Sequence, residues 1–335
     1  MDKIKIGVLC PSEIAFRRFM PALGKLDQFK YAGIAAAAKG EWSGDNSDEI
    51  ISGERKKAEK FVSEYGGKIF NGYLNMISSD EIDSVYIPLP PALHYKWGKL
   101  ALENGKHVLI EKPFTASSND TKTLIKIARN NDLAVHENYM FVFHSQLDFI
   151  RDQIDKGTIG DIRLIRADFG FPFRGANDFR YDKKLGGGAL LDCGGYALKL
   201  VSLLIGNTAK ITASKLNFKE KFETDIFGSA TLENADGLTA QISFGMDNDY
   251  RCSLDVWGST GSIRTNRIFT APIDFEPAVI IKNAEGEKVV NLPTDDTFKK
   301  SIEKFELCIN DTAIRESNCQ DIIRQSELVD QIKGD

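Results

Sequence analysis

The chain has 335 residues, 42% hydrophobic and 27% charged, enough for two soluble domains with ordinary cores. A net charge of −5 gives no electrostatic footing on nucleic acid or an anionic membrane, so neither is expected as a partner. The five cysteines are odd in number, far apart and without a CxxC pair, which argues against a disulfide framework or zinc site and for reduced thiols in a cytoplasm.

Residues 4–9 form a short apolar run behind charged residues, the pattern of a buried strand. Residues 12–26 read as a helix, with Ser12 as its cap and Glu13 in the first turn, where negative charge suits the helix dipole. Further strands are predicted at 31–38, 68–70, 84–88, 107–111 and 133–137, and helices at 55–65, 95–104 and 119–131, with a short one around 75–77. Gly66-Gly67 and Gly105 stop two of these helices, and Pro88 and Pro90 end the strand before them. Serial βα units of this kind imply an α/β fold with a parallel, doubly wound sheet, a Rossmann domain over residues 1–140. The polar, acidic stretch 40–53 reads as a solvated surface insertion.

The character changes after residue 140. A helix at 145–156 is followed by strand-like runs at 162–171, 211–217, 227–232, 239–244, 252–258, 261–265, 278–282 and 287–291. Turns at short intervals join them, so a large, mainly antiparallel sheet is expected. Helices are predicted at 190–204, 297–310 and 321–333, which makes residues 141–335 an α+β second domain.

A dinucleotide site needs a tight turn after the first strand, with helix N–H groups aimed at the pyrophosphate. Here Cys10, Ser12 and Ala15 stand where the GxGxxG/A fingerprint has its small residues, and both leading glycines are missing. A plain strand–turn–helix fits this stretch equally well. Read as a cofactor turn, its contacts are Gly7, Leu9, Cys10, Pro11, Ser12, Glu13 and Ile14. The second strand ends Ala35-Ala36-Ala37-Ala38-Lys39, without the acid that an NAD site places on the ribose hydroxyls. Ala37 and Lys39 therefore suit a 2′-phosphate, and NADP(H) is favoured. NAD(H) is the alternative, with Lys39 then a surface charge.

Four further segments stand in order: Tyr86-Ile87-Pro88-Leu89-Pro90 with His94; Glu111-Lys112-Pro113; Glu137-Asn138-Tyr139-Met140-Phe141 through His144 and Gln146; and Gly186-Gly187-Gly188-Ala189-Leu190-Leu191-Asp192-Cys193-Gly194-Gly195-Tyr196. Together they resemble the Gfo/Idh/MocA oxidoreductases, the glucose–fructose oxidoreductase and inositol dehydrogenase family, over essentially the whole chain. The resemblance implies a Rossmann domain followed by an open-faced sheet used in oligomer contacts, hence a homodimer or homotetramer. It also implies cofactor contacts from Pro88, Leu89, Pro90, His94, Glu111, Lys112, Asn138, Phe179 and Arg180, and a Lys112–Pro113 bond that is often cis. The phrases around Ile14 to Arg18, Glu137 to Gln146 and Phe179-Arg180 look most like nucleotide-sugar 3-ketoreductases. Pro91 and Val142 depart from the family's frequent Asn and Arg.

In such an enzyme the cofactor supplies hydride, and the protein supplies position and a proton. The resemblance assigns Tyr196 as proton donor and acceptor. Free tyrosine has a pKa of ~10, and a neighbouring ammonium lowers it. Lys112 is expected to provide that ammonium, since it ends a parallel strand, where open α/β sheets bind ligands. Asp192, four residues before Tyr196, is expected on the same helix face, and the resemblance implies that it binds a substrate hydroxyl or aids the proton relay. The four histidines show no HxH or HExxH spacing, so no metal site is expected. The leading reading is an oxidoreductase acting on a sugar or nucleotide-linked sugar. The alternatives are a cyclitol or free aldose dehydrogenase, a non-catalytic nicotinamide-dependent sensor, and a glycosidase that uses tightly held NAD.

Overall fold

The computed structural model describes residues 3–42, 47–175 and 177–334. Its first strand, β1 (Ile4–Leu9), is buried from Ile6 onward, as a strand covered on both faces must be. It pairs in parallel with β2 (Phe29–Ala36) on one side and β4 (Ser84–Ile87) on the other. β3 (Lys68–Asn71) extends the sheet beside β2, while β5 (His107–Ile110) and β6 (Val135–Glu137) extend it beyond β4. The order β3-β2-β1-β4-β5-β6 turns back between β1 and β4, the switch point at which doubly wound sheets take ligands. The connecting helices are α2 (Ser47–Tyr65), α3 (Tyr73–Ile77), α4 (Pro91–Glu103) and α5 (Ser118–Asn130). Trp97, Tyr73, Phe114 and Leu124 fill the core between them and the sheet.

The helix after β1 differs from the expectation. A π-helical turn, Ala15–Phe19, runs into the short α1 (Met20–Leu23). The polar stretch also needs correction: α2 begins at Ser47, so its second half is helix rather than loop, with Asp48 and Glu49 complementing the dipole. Residues 43–46 of that stretch lie outside the described residues.

The second sheet has the order β14-β13-β12-β11-β7-β10-β9-β8. Its strands are β7 (Ile162–Gly170), β8 (Lys210–Phe218), β9 (Asp225–Glu233), β10 (Thr239–Gly245), β11 (Arg251–Gly258), β12 (Ser262–Thr265), β13 (Ala278–Asn283) and β14 (Gly286–Asn291). All neighbours are antiparallel except β7 and β10. Strict alternation orients it: Cys252, Leu254 and Val256 of β11 point inward, Asp255 and Trp257 outward. The inner face carries α7 (Gly195–Ile205), and α6 (Ser145–Asp155) precedes the sheet in the chain. The helical segment Lys183–Ile205 is apolar and long enough to cross a membrane, but 83% of its most apolar window is buried inside the protein.

The chain forms two compact units, and a single cut near residue 140 does not describe them. One runs to Asn138 and takes in Phe298–Ile323; the other comprises Tyr139–Thr297 and the chain from Arg324. α8 (Thr297–Asn310) and the first half of α9 (Thr312–Lys333) thus belong almost wholly with the parallel sheet. The buried Arg315 explains part of this: it donates to the Cys308 and Ile309 carbonyls at 2.8 Å and pairs with Asp132. Arg129–Glu316 and Gln28–Glu306 add further ties.

Candidate active site

In the first unit most of the predicted cofactor residues follow C-terminal strand ends, while Gly7 and Leu9 lie within β1 and His94 within α4. Cys10 stands at the end of β1 with φ 93, the left-handed conformation for which the usual fingerprint supplies glycine. Cys10 thus holds a backbone conformation that ordinarily calls for glycine. The thiol lies 3.5 Å from Glu54 Oε1, and burial together with the Glu54 charge pushes its pKa well up, so it is a packed thiol and not a nucleophile. Ser12 caps the helix start: its Oγ accepts from the Ala15 N–H at 3.2 Å. Pro11 is buried, whereas Glu13 and Ile14 are exposed at the helix N-terminus, where backbone N–H groups suit a pyrophosphate. Gly7 and Leu9 lie inside: a Cβ on Gly7 would meet Met76 Sδ at 2.5 Å, and Leu9 is fully buried. Relieving the left-handed strain through Cys10→Gly should raise unfolding stability by about 1 kcal/mol in urea titration. A loss of that size would mean that the thiol–Glu54 contact outweighs the strain.

The ends of β4, β5 and β6 are joined by one carboxylate. Glu111 Oε1 accepts from Tyr86 Oη and from Asn138 Nδ2, both at 2.6 Å. Burial raises the Glu111 pKa, opposed by Tyr86, Asn138 and the adjacent Lys112. Lys112 follows, half-buried, and its bond to Pro113 is cis. His94 is wholly buried beneath, its Nδ1 2.8 Å from the Pro113 carbonyl and its Nε2 2.7 Å from that of Leu89. It thus clamps the Pro88-Leu89-Pro90 corner to the Lys112 corner and is a support rather than a reacting group.

Sequence reasoning missed the layer behind Asn138. Its Oδ1 accepts from Ser301 Oγ at 2.8 Å, Ser301 lies 3.0 Å from His136 Nε2, and His136 Nδ1 lies 3.1 Å from Asn318 Oδ1. Ser301 is on α8 and Asn318 on α9, more than 160 residues from β6, so no local pattern could link them. Burial also pushes the pKa of both His94 and His107 down to about 4. A depressed histidine pKa contributes stability that is complete above about 6.5 and is lost as pH falls toward 4. The urea midpoint should therefore fall progressively from pH 6.5 to pH 4, by an amount worth a few kcal/mol, about. A flat midpoint down to pH 5 is the contrary result.

The second unit holds the other candidates. The expected helix at 190–204 is in fact a π-helical turn, Leu190–Gly194, followed by α7. Asp192 faces Arg180, whose Nε donates to Oδ2 at 2.8 Å, while Nη1 donates to Asp178 at 3.0 Å. Burial opposes the Arg180 charge, but Asp192 and Asp178 outweigh it and hold its pKa above the usual value. Phe179 stacks under the same guanidinium at 4.6 Å. Tyr196 instead enters an aromatic cage of Tyr139, Phe141, Phe169 and Phe269, with ring centroids 5.1–5.9 Å away. Its hydroxyl is 4.0 Å from Met140 Sδ.

Within the glycine run, Gly187 and Gly188 pack too closely against their neighbours to carry side chains. A Cβ on Gly187 would strike the Arg180 carbonyl at 2.4 Å, and one on Gly188 would strike Asp225 Oδ1 at the same distance. Asp225, which no motif flagged, accepts from the Leu190 N–H at 2.7 Å and so anchors the turn carrying Asp192 and Tyr196. His144 and Gln146 are structural: His144 caps α6, and Gln146 donates to the Arg267 carbonyl.

Comparison with known proteins agrees with this architecture. Residues 23–139 match the oxidoreductase family with an NAD-binding Rossmann fold, and residues 148–264 match the GFO/IDH/MocA C-terminal domain. A dTDP-3,4-didehydro-2,6-dideoxy-alpha-D-glucose 3-reductase from Actinomadura kijaniata is 34% identical over 99% of this chain and 95% of its own length. The chain belongs to the GFO/IDH/MocA oxidoreductase family. A second family member of the same name, from Streptomyces violaceoruber, is also 34% identical, over 98% of this chain and 94% of its own. Among solved structures of the family, a 3-ketoreductase from Actinomadura kijaniata in complex with NADP and TDP-benzene superposes with a TM-score of 0.91, at 33% identity over 99% and 98% of the two chains. That enzyme has also been solved with a tyrosine changed to phenylalanine and with a lysine changed to alanine.

Proposed function

We propose that this protein is an NADP(H)-dependent 3-ketoreductase acting on a TDP-linked deoxysugar. The full-length likeness to dTDP-sugar 3-reductases carries the reading. Its support at residue level is that the lysine and tyrosine substituted in the Actinomadura enzyme stand as far apart in sequence as Lys112 and Tyr196 do here.

NADPH, when bound, supplies the hydride. The turn from Cys10 to Ile14 would hold its pyrophosphate, the Ala37–Lys39 corner its adenosine ribose, and the Pro88–Pro90 and Glu111–Pro113 corners its nicotinamide end. Two features fit that use: the left-handed turn at Cys10, and Glu13 and Ile14 exposed at the helix start. Lys112 places its ammonium against the ketone oxygen as negative charge develops there. Tyr196 delivers a proton from Oη to that oxygen, and the Lys112 charge favours its phenolate afterwards. Asp192, oriented by Arg180, accepts a hydrogen bond from a sugar hydroxyl.

The test is the absorbance of reduced nicotinamide with purified protein and a panel of TDP-linked 3-keto and 4-keto sugars, free aldoses and cyclitols. NADPH oxidation with a TDP-linked 3-keto sugar is expected. Turnover of free aldoses or cyclitols alone would replace this reading with a free-sugar dehydrogenase.

A further inference from the structure

Two carboxylates stand at the C-terminal end of β2, where a dinucleotide fold places the adenosine ribose and where an acid selects NADH. Both are turned inward. Glu54 is buried and accepts from the Ala37 N–H at 2.8 Å, from Tyr73 Oη at 2.6 Å and from Trp42 Nε1 at 3.1 Å. Glu41 takes three backbone donors: Ala38 and Tyr73 N–H on Oε2, each at 2.8 Å, and Leu74 N–H on Oε1 at 2.9 Å. Of about four lone-pair sites on a carboxylate, three are thereby filled.

The corner that Glu41 closes is tight. Gly72 has φ 110, donates its N–H to the Ala36 carbonyl at 2.8 Å, and a Cβ there would sit 3.2 Å from both Glu41 Oε1 and Ala38 Cβ. Glu41 also returns its own N–H to the Ala38 carbonyl at 3.1 Å. The carboxylate therefore ties the end of β2 to the start of α3 and shapes the turn Ala38-Lys39-Gly40. Lys39 is exposed on that turn.

We infer that Glu41 is a positioning residue for cofactor choice: it withholds an acid from the ribose hydroxyls and holds the turn that presents Lys39 to the 2′-phosphate of NADPH. Its charge does not repel that phosphate strongly, because three N–H donors already meet it. A residue that merely staples the loop would affect NADPH and NADH alike. One that sets the Lys39 turn affects the phosphorylated cofactor alone.

The inference rests on the nicotinamide reading above, and its test needs no sugar. Dissociation constants for NADPH and NADH are read from reduced-nicotinamide fluorescence with wild type, Glu41→Ala and Glu41→Gln. Wild type should favour NADPH, and Glu41→Ala should weaken NADPH about tenfold while NADH changes less than about threefold. Glu41→Gln keeps the volume but offers one acceptor oxygen in place of two, so it should fall between and serves if the alanine variant does not fold. Equal weakening of both cofactors, or an unchanged ratio, overturns the inference and leaves the nicotinamide reading standing. Binding of neither cofactor by wild type overturns both.

Discussion

Replacing Lys112 with alanine is expected to lower kcat by about 10²–10³-fold, the usual cost of removing one donor aimed at a developing oxyanion. NADPH affinity should change by no more than about threefold, because in the proposed mechanism Lys112 is one of many cofactor contacts and its charge acts mainly in the transition state. The corner itself should survive. Glu111 stays tied to Tyr86 and Asn138, and His94 stays against the Pro113 carbonyl, all without the lysine side chain. Steady-state kinetics on a TDP-linked 3-keto sugar, with NADPH binding measured separately, make the check. A kcat near wild type would remove Lys112 from the chemistry. A loss confined to NADPH affinity would make it a cofactor ligand. Lys112→Arg is expected to rescue poorly, since a planar fork does not reproduce a point charge.

Tyr196→Phe is expected to lower kcat by about 10²-fold or more, the range for loss of a positioned proton donor. The fold should tolerate it well. The ring keeps its edge-on contacts with Tyr139, Phe169 and Phe269, and the nearby Met140 sulfur is a weak hydrogen-bond partner at 4.0 Å. Unfolding stability should therefore stay within about 1 kcal/mol of wild type. Turnover within a few-fold of wild type would assign the proton to another donor, and Lys112 would then be the first to test. The two variants separate the roles: loss in Lys112→Ala alone points to a lysine acid, loss in both to the pair.

Much of this molecule could be read locally. Every strand of both sheets lies within a few residues of its expected place, because period-two and fully buried apolar runs are properties of the strand alone. Lys112 was legible because strand, charge and proline follow directly in sequence. The phosphate turn was less so: Cys10 hides a glycine conformation, and φ is not written in the residue name. The start of α2 was missed because serines, acids and Gly53 surround the only two apolar residues there, Ile50 and Ile51, and the start of α9 because its apolar face reaches the core only through long-range packing.

The sequence by itself determined the βα order, the change to an antiparallel second half, the family and the identity of the candidate acid, base and cation. Tertiary structure alone decided which partners those groups have. It spends Glu41 and Glu54 on backbone and buried donors, pairs Arg180 with Asp192, and sends α8 and the first half of α9 back to the parallel sheet. It also replaces the first turn before α7 with a π turn. The physical reason is one of range. Periodicity and capping act within a turn or two of chain, whereas a buried polar group must find its partner wherever packing brings one, often more than a hundred residues away.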